Sequence, residues 1–419
     1  MALIKKPTTG MKDILPREME IRDYLIGVIK ETYAQFGFTS IETPAVENIS
    51  NLNSKQGGEN EKLIFKILKR GEKLNLEAAQ NEIDLVDGGL RYDLTVPLVR
   101  FYSNNAAVLP SPFKALQIGP VWRADRPQKG RFRQFYQCDI DILGEAGNLA
   151  EIELILATTT TLGKIGFKNF KIKINERRIL KAMAAYSGFP EEEFDTVFII
   201  LDKMDKIGLE GVKEELIKEG YDGTAVDRYV ALFKGIKESE DGLSYVCDAI
   251  SDYLEDGVKE GLSEIIDSVN STKEYTFDVV FDPTLVRGMS YYTGTIFEIE
   301  VPEFGSSVGG GGRYDKMVGK FTGNDIPACG FSIGFERIVT ILLDNDFQIP
   351  TQKEKTAFLI EKGISGEKLC EIIREAQELR KEGKSVLVVR MNKNKKFQKE
   401  QLEKEGYSNF RDFYKNPIK

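Results

Sequence analysis

The sequence predicts an α+β protein: a largely antiparallel sheet flanked by helices, interrupted by a helical insertion and followed by a small C-terminal α/β domain. Three observations carry this. Residues 113–123 and 131–143 read as two long strands joined by the polar turn Ala124-Asp125-Arg126-Pro127-Gln128-Lys129-Gly130. Residues 175–275 change character to charged, helix-prone sequence. In residues 355–419 two short apolar runs, Ala357 to Ile360 and Val386 to Val389, bracket a helical stripe of Leu369, Ile372, Ile373, Ala376 and Leu379, the pattern of a βαβ unit.

The remaining elements follow in order. Residues 17–36 place Ile21, Leu25, Val28, Ile29 and Phe36 at helical spacing, with Gly37 as the C-terminal cap. Phe38 to Val46 reads as a strand, but Pro44 removes an N–H donor and makes it an edge or irregular one. Helices are expected over Arg178 to Tyr186, Asp202 to Glu219 and Tyr245 to Val269, and further strands over Phe277 to Asp282 and Tyr291 to Val301. The sheet-bearing domain is thus read as two parts, residues 1–174 and 276–346, separated by the insertion at 175–275, with the C-terminal domain at 355–419.

Composition excludes much. The 419 residues suit about three domains. There is no histidine, which removes imidazole bases, Ser-His-Asp triads and His-ligated zinc. Four cysteines (138, 247, 329 and 370) stand far apart, as buried thiols rather than a disulfide or metal framework, so no protein metal site is expected. Neither an apolar run of 18 residues nor a secretory leader is present, and the chain reads as cytoplasmic, without a membrane partner. The 58 Lys+Arg against 66 Asp+Glu leave −8, yet residues 355–419 hold 16 basic against 10 acidic side chains. That basic tail is compatible with RNA contact and equally with a solvated surface.

Chemistry must therefore run on Arg, carboxylates, Tyr and backbone. Strand side chains alternate, so Arg131, Arg133, Phe135, Gln137, Asp139 and Asp141 share one face, and Arg123 on the preceding strand can join them. Cations, an aromatic and carboxylates in one row suit a nucleotide plus an amine; a solvated face of ion pairs explains the row as well, and the strand alone does not separate the two. The run Leu285 to Gly294 holds Arg287, Tyr291 and Tyr292; an Arg cannot act as a base, since its pKa exceeds about 12, but it can clamp carboxylate or phosphate. Gly309 to Gly312 either permits close backbone approach to a ligand or is a flexible turn. Ala328 to Arg337 reads as a Gly-punctuated strand opening into a helix with Arg337 near its start. Neither a P-loop nor a G-x-G-x-x-G follows a strand, so any ATP phosphates must be held by arginines on a sheet.

In this order the residues resemble the class II aminoacyl-tRNA synthetases, and within them the histidyl-tRNA synthetase family. The match runs from Gly10-Met11-Lys12-Asp13-Ile14-Leu15-Pro16 to Arg337, with the helix and strand ending at Pro44 as motif 1, Trp122-Arg123-Ala124-Asp125 followed by Arg126 to Arg131 as motif 2, and Gly334-Phe335-Glu336-Arg337 as motif 3. Strings particular to the histidine enzyme are Arg91-Tyr92-Asp93-Leu94-Thr95, Leu285 to Tyr292, and Gly309 to Asp315. The resemblance implies the class II antiparallel sheet, a homodimer, and ATP with Mg²⁺, L-histidine and tRNA(His) as substrates. It implies that Arg123 binds the α-phosphate and the histidine carboxylate, that Arg337 holds the bent ATP tail, and that Arg131 and Asp125 belong to the ATP site, where Phe135 stacks on adenine. Asp93, Thr95 and Gln137 would accept hydrogen bonds from the α-ammonium, and Asp141 and Tyr292 would address the imidazole nitrogens, with Tyr291 completing the pocket and Leu94 also counted in the histidine site. Arg287 would stabilise charge as the carboxylate attacks phosphorus, and Arg126 and Gln128 would approach the tRNA acceptor end. Asp125 and Asp141 stand where some members carry Glu, and the C-terminal domain is shorter than the family's.

The activity expected is histidine–tRNA ligation through histidyl-adenylate. One rival is a non-catalytic paralogue, the histidine-sensing regulatory subunit of ATP phosphoribosyltransferase, which the short C-terminus favours and which has no need of Arg123, Arg287 and Arg337 together. Another is a stand-alone RNA-binding protein with a dead core.

Overall fold

The computed structural model describes residues 3–53, 63–127, 131–287, 291–302, 306–350 and 354–416. They form two compact units, one of residues 1–13 and 25–342, the other of residues 14–24 and 343–419. In chain order the strands are β1 (Thr39–Ser40), β2 (Val46–Asn48), β3 (Lys66–Leu68), β4 (Val86–Leu90), β5 (Phe113–Trp122), β6 (Gln134–Leu143), β7 (Lys171–Glu176), β8 (Asp278–Phe281), β9 (Thr295–Val301), β10 (Ser306–Arg313), β11 (Ala328–Ile333), β12 (Lys355–Ile360), β13 (Ser385–Arg390) and β14 (Tyr407–Phe413). The helices are α1 (Pro16–Gln35), α2 (Ile49–Leu52), α3 (Thr95–Asn105), α4 (Leu149–Ile165), α5 (Arg177–Ser187), α6 (Phe194–Leu201), α7 (Met204–Glu219), α8 (Gly223–Glu238), α9 (Gly242–Ala249), α10 (Val258–Thr272), α11 (Lys316–Thr322), α12 (Phe335–Asp344), α13 (Gly366–Lys381) and α14 (Lys395–Lys404).

In the first unit an eight-stranded sheet runs in the order β1-β5-β6-β11-β10-β9-β7-β8. Only its two outermost pairings, β1 with β5 and β7 with β8, are parallel. The predicted antiparallel sheet is therefore present, with α5 to α10 inserted between β7 and β8. One face is packed: Cys138, Ile140 and Ile142 of β6 are buried, and Phe297 and Phe331 stack with centroids 4.7 Å apart. Gly311 pairs in register with both of these Phe residues. A Cβ there would fall 1.9 Å from the Gly330 carbonyl oxygen, so only glycine lets the strands close.

Several expectations are corrected. Gly309 to Gly312 is the middle of β10, not a flexible turn. The strand expected from Tyr291 begins at Thr295, leaving the paired tyrosines in a turn before it. Phe38 to Val46 breaks at Pro44: β1 joins the large sheet, whereas β2 joins a second sheet of order β2-β4-β3. The helix expected over Tyr245 to Val269 is two, α9 and α10, the second entered through Gly257 at φ +80°.

In the second unit β13-β12-β14 form a parallel sheet. Phe358, Ile360, Ile372, Ala376 and Val386 pack on one side, and Ala357, Leu359 and Leu402 on the other. The βαβ reading holds for β12, α13 and β13. The third strand, β14, has the sequence Tyr-Ser-Asn-Phe-Arg-Asp-Phe, with no continuous apolar run to announce it.

One buried ion pair ties the sheet to α4. Arg313, at the end of β10, meets Glu151 through two bonds of 2.7 Å, Nε to Oε1 and Nη2 to Oε2, and also donates to the Glu145 and Gly147 carbonyls. Glu151 is 1% exposed. Removing one partner strands a buried charge, so Glu151→Ala is expected to cost about 3 kcal/mol or more. A lowered urea midpoint at unchanged slope checks it.

Candidate active site

The open face of the sheet gathers charge because strand register aligns residues across it. One row runs Gln117, Asp139, Ser332, Gly310 and Glu298; the next runs Asp141, Gly330 and Gly312. Glycine in β10 and β11 keeps these rows open. A Cβ at Gly330 would lie 2.0 Å from Asp141 Oδ1, and one at Gly310 would lie 2.5 Å from Arg287 Cζ. Above them is a cavity of about 380 Å³ lined by Asp93, Thr95, Arg123, Asp125, Arg131, Phe135, Gln137, Asp139, Asp141, Arg287, Tyr291, Tyr292, Tyr314 and Arg337, among others.

Each guanidinium at the cavity is held. Arg123 donates from Nε to the Tyr92 carbonyl (2.9 Å) and lies 5.2 Å over the Phe135 ring. Arg287 donates from Nη1 to Glu298 Oε2 at 2.5 Å. Arg337 donates to the Ser307 carbonyl, and Arg131 pairs with Asp125 at 3.4 Å. Burial, and next the neighbouring charge of Arg287, lower the Arg337 pKa. All remain cationic, as guanidiniums do.

The carboxylates are held by neutral donors. Asp93 accepts the Val96 N–H (3.1 Å) in the first turn of α3, and Asp141 accepts the Tyr314 hydroxyl at 2.5 Å. Burial raises Asp93 to about 6 and Asp141 to about 7. Asp139, 4% exposed, is pushed well above the usual range by burial and then by the charge of Asp141. Its Oδ1, like Gln137 Oε1, is buried without a hydrogen-bond partner among the described residues. Gln137 donates from Nε2 to Ser332 Oγ (3.2 Å). Burial also raises Tyr291 and Tyr292, whose hydroxyls lie 3.5 Å apart, and keeps them protonated. Buried acids that the charge of Arg123 compensates only in part, beside cations fixed on their own partners, suit a ligand with an amine at one end and an anion at the other.

The sequence-predicted residues thus converge on one cavity, with three exceptions. Leu94 does not line it: the side chain is 1% exposed and the carbonyl accepts from Gln117 Nε2. Arg126 is exposed on the connection between β5 and β6, away from the lining. Gln128 lies outside the described residues. Sequence reasoning missed Glu298, which carries no local motif and meets Arg287 where the guanidinium lies over Gly310, its partner in register. It placed Asp139 on the right face and Tyr314 in a matching string, but assigned neither a part.

Comparison with known proteins gives the same direction. A family model described as histidyl-tRNA synthetase matches residues 10–338. Histidine–tRNA ligase of Leifsonia xyli is 47% identical over 347 residues, covering 80% of each chain. The crystal structure of histidyl-tRNA synthetase from Nostoc superposes with a TM-score of 0.77 at 26% identity, covering 97% of this chain and 90% of that one. A Bacillus halodurans structure described as an ATP phosphoribosyltransferase regulatory subunit/histidyl-tRNA synthetase gives a TM-score of 0.74 at 20% identity over 99% of both chains, a likeness of fold alone. By the extent of the family match and the identity to its members, this chain belongs to the histidyl-tRNA synthetase family.

Proposed function

We propose that the protein is a histidine–tRNA ligase that activates L-histidine with ATP and transfers the histidyl group to tRNA(His). The observation that carries the reading is the joint convergence of Arg123, Arg287 and Arg337 with Asp93, Asp141 and the tyrosine pair on one cavity. A sensor of histidine alone would need the acids and tyrosines but not the guanidiniums, so the regulatory-subunit reading leaves half the site unused.

The substrate carboxylate is already ionised and needs no protein base. Its oxygen attacks the α-phosphorus of ATP, the bond to the β-phosphate oxygen breaks, and pyrophosphate leaves. Arg123 binds the carboxylate and α-phosphate, Arg131 and Arg337 bind the outer phosphates with Asp125 orienting Arg131, and Phe135 stacks on adenine. Mg²⁺ enters with ATP as its counter-ion. Arg287 stabilises the charge that develops during attack. Asp93, Thr95 and Gln137 receive the α-ammonium; Asp141 and Tyr292, with Tyr291 beside them, address the two imidazole nitrogens. A pocket built to bond both nitrogens can reject analogues lacking them by about 10⁴–10⁵. Arg126 and Gln128 are assigned, by the family resemblance, to contact with the tRNA acceptor end. The protein acts in the cytoplasm as a homodimer, with residues 1–174 and 276–346 as the catalytic core, 175–275 as an inserted helical domain and 355–419 as a short anticodon-binding-like domain.

Histidine-dependent ATP–pyrophosphate exchange followed by charging of tRNA tests the reading. Both are expected; histidine binding without exchange would favour the regulatory subunit, and exchange without charging a different acceptor. Arg287→Ala is expected to lower exchange turnover about 10²–10³-fold while weakening histidine binding far less. Comparable losses would contradict its role. The pocket acids also make a stability prediction. Asp141 is raised from the usual carboxyl value to about 7, so the folded state binds the proton more tightly, and stability is lost as pH rises toward and through 7. Asp141→Asn, without that charge, is expected to melt higher than the unaltered ligand-free protein above pH 7, the gap shrinking toward pH 5. Melting curves across this range check it.

A further inference from the structure

Arg177 opens α5 and is 3% exposed, although it is an arginine at the start of an inserted helix. Its surroundings explain the burial. The backbone segment that carries Arg287, Tyr291 and Tyr292 leaves β8 and returns as β9, and both ends of it are bonded to three consecutive residues at the junction of β7 and α5. At the near end, Asn175 Nδ2 donates to the Leu285 carbonyl (3.0 Å) and Arg177 Nη1 to the Val286 carbonyl (3.4 Å). At the far end, the Arg177 N–H donates to the Gly294 carbonyl (3.0 Å) and Thr295 Oγ1 to Glu176 Oε2 (3.1 Å). Asn175 and Glu176 are 0% and 2% exposed. The guanidinium of Arg177 is seated from its other side by α6: it lies 5.1 Å over the buried Phe198 ring and 3.8 Å from Asp195 Oδ1. Arg287 therefore has two anchors, Glu298 on its guanidinium and this clamp on the carbonyl immediately before it.

We propose that Arg177 is a positioning residue for Arg287, fixing the backbone that presents it and tying that backbone to helix α6 of the insertion. The proposal rests on the adenylation reading above. A buried amine or guanidinium bonded to a carbonyl contributes more than a neutral donor, and a small displacement of a charge-stabilising group is costly in rate while leaving ground-state binding nearly intact. The Arg177 side chain bonds only the near end, at the Val286 carbonyl beside Arg287, whereas the far end, next to the tyrosines, is held by the Arg177 main-chain N–H and by Glu176, which a side-chain substitution leaves in place, so the effect belongs to turnover.

The test is exchange kinetics with Arg177→Met and Arg177→Lys, together with single-turnover adenylate formation, which reads slow rates. Arg177→Met is expected to lower kcat about 10–100-fold, with the KM for histidine changed less than about threefold and partial recovery in Arg177→Lys. In an Arg287→Ala background the same change is expected to cost less than about twofold, because the group it positions is gone. Unchanged kcat, equal shifts in kcat and KM, or losses that simply multiply in the double variant would each overturn the proposal while leaving the adenylation reading intact. Should Arg177→Met fail to fold, Asp195→Asn carries the test, since its side chain is 74% exposed: kcat is expected to fall about threefold with melting unchanged, and an unaltered kcat overturns the proposal. Absence of exchange in the unaltered protein would overturn the functional reading and this proposal with it.

Discussion

Charge in the cleft is divided, and the rest of the structure serves that division. On one flank Asp93, Asp139 and Asp141 are desolvated, with the charge of Arg123 offsetting only part of that at Asp93 and Asp139; on the other Arg123, Arg287 and Arg337 are pinned by carbonyls, a ring face and one carboxylate. Desolvated acids short of compensating charge are a cost to folding, and packed guanidiniums repel one another. A zwitterion with a cationic side and a polyphosphate relieves both at once. The eight-stranded sheet supplies the rigidity this needs: register places the acids two residues apart on β6, and glycines in β10 and β11 clear the space above them.

The absence of histidine from the chain is consistent with this chemistry rather than an obstacle to it. An amino-acid carboxylate needs no base to become a nucleophile, so the protein's part is to hold charge in place before the reaction begins. That shifts the burden to positioning. Arg287 is one side chain on a connection between strands, and its placement depends on Glu298 from β9 and on Asn175 and Arg177 at the end of β7, the strand beside β9.

Much of this was legible in the sequence because strand alternation and ordered motifs are local signals. The row Phe135, Gln137, Asp139 and Asp141 could be read from period two alone, although the strand starts at Gln134 rather than Arg131 and Arg133 does not line the cavity, and the strings around Arg123, Arg287 and Arg337 identified partners far apart in the chain. What was not legible depends on pairing between strands. Glu298 has no motif; it meets Arg287 because the guanidinium lies over Gly310, which pairs with Glu298. Gly309 to Gly312 has the composition of a turn, and only the crowding of neighbouring strand backbones shows why four glycines make a strand. Leu94 sits between two cavity-lining neighbours, Asp93 and Thr95, yet turns into the core as α3 begins. β14 was hidden by polar residues on a sheet edge, where burial is not required.

The division of charge is tested most directly by calorimetry of histidine binding in buffers of differing ionisation enthalpy, at about pH 7.5, where free imidazole is largely neutral. Acids raised by burial ionise when an ammonium joins them, so binding should release protons, and the measured enthalpy should vary with the buffer. The release should diminish in Asp141→Asn. Enthalpies independent of the buffer in both proteins would mean that the acids are already charged in the empty cleft, contradicting the account.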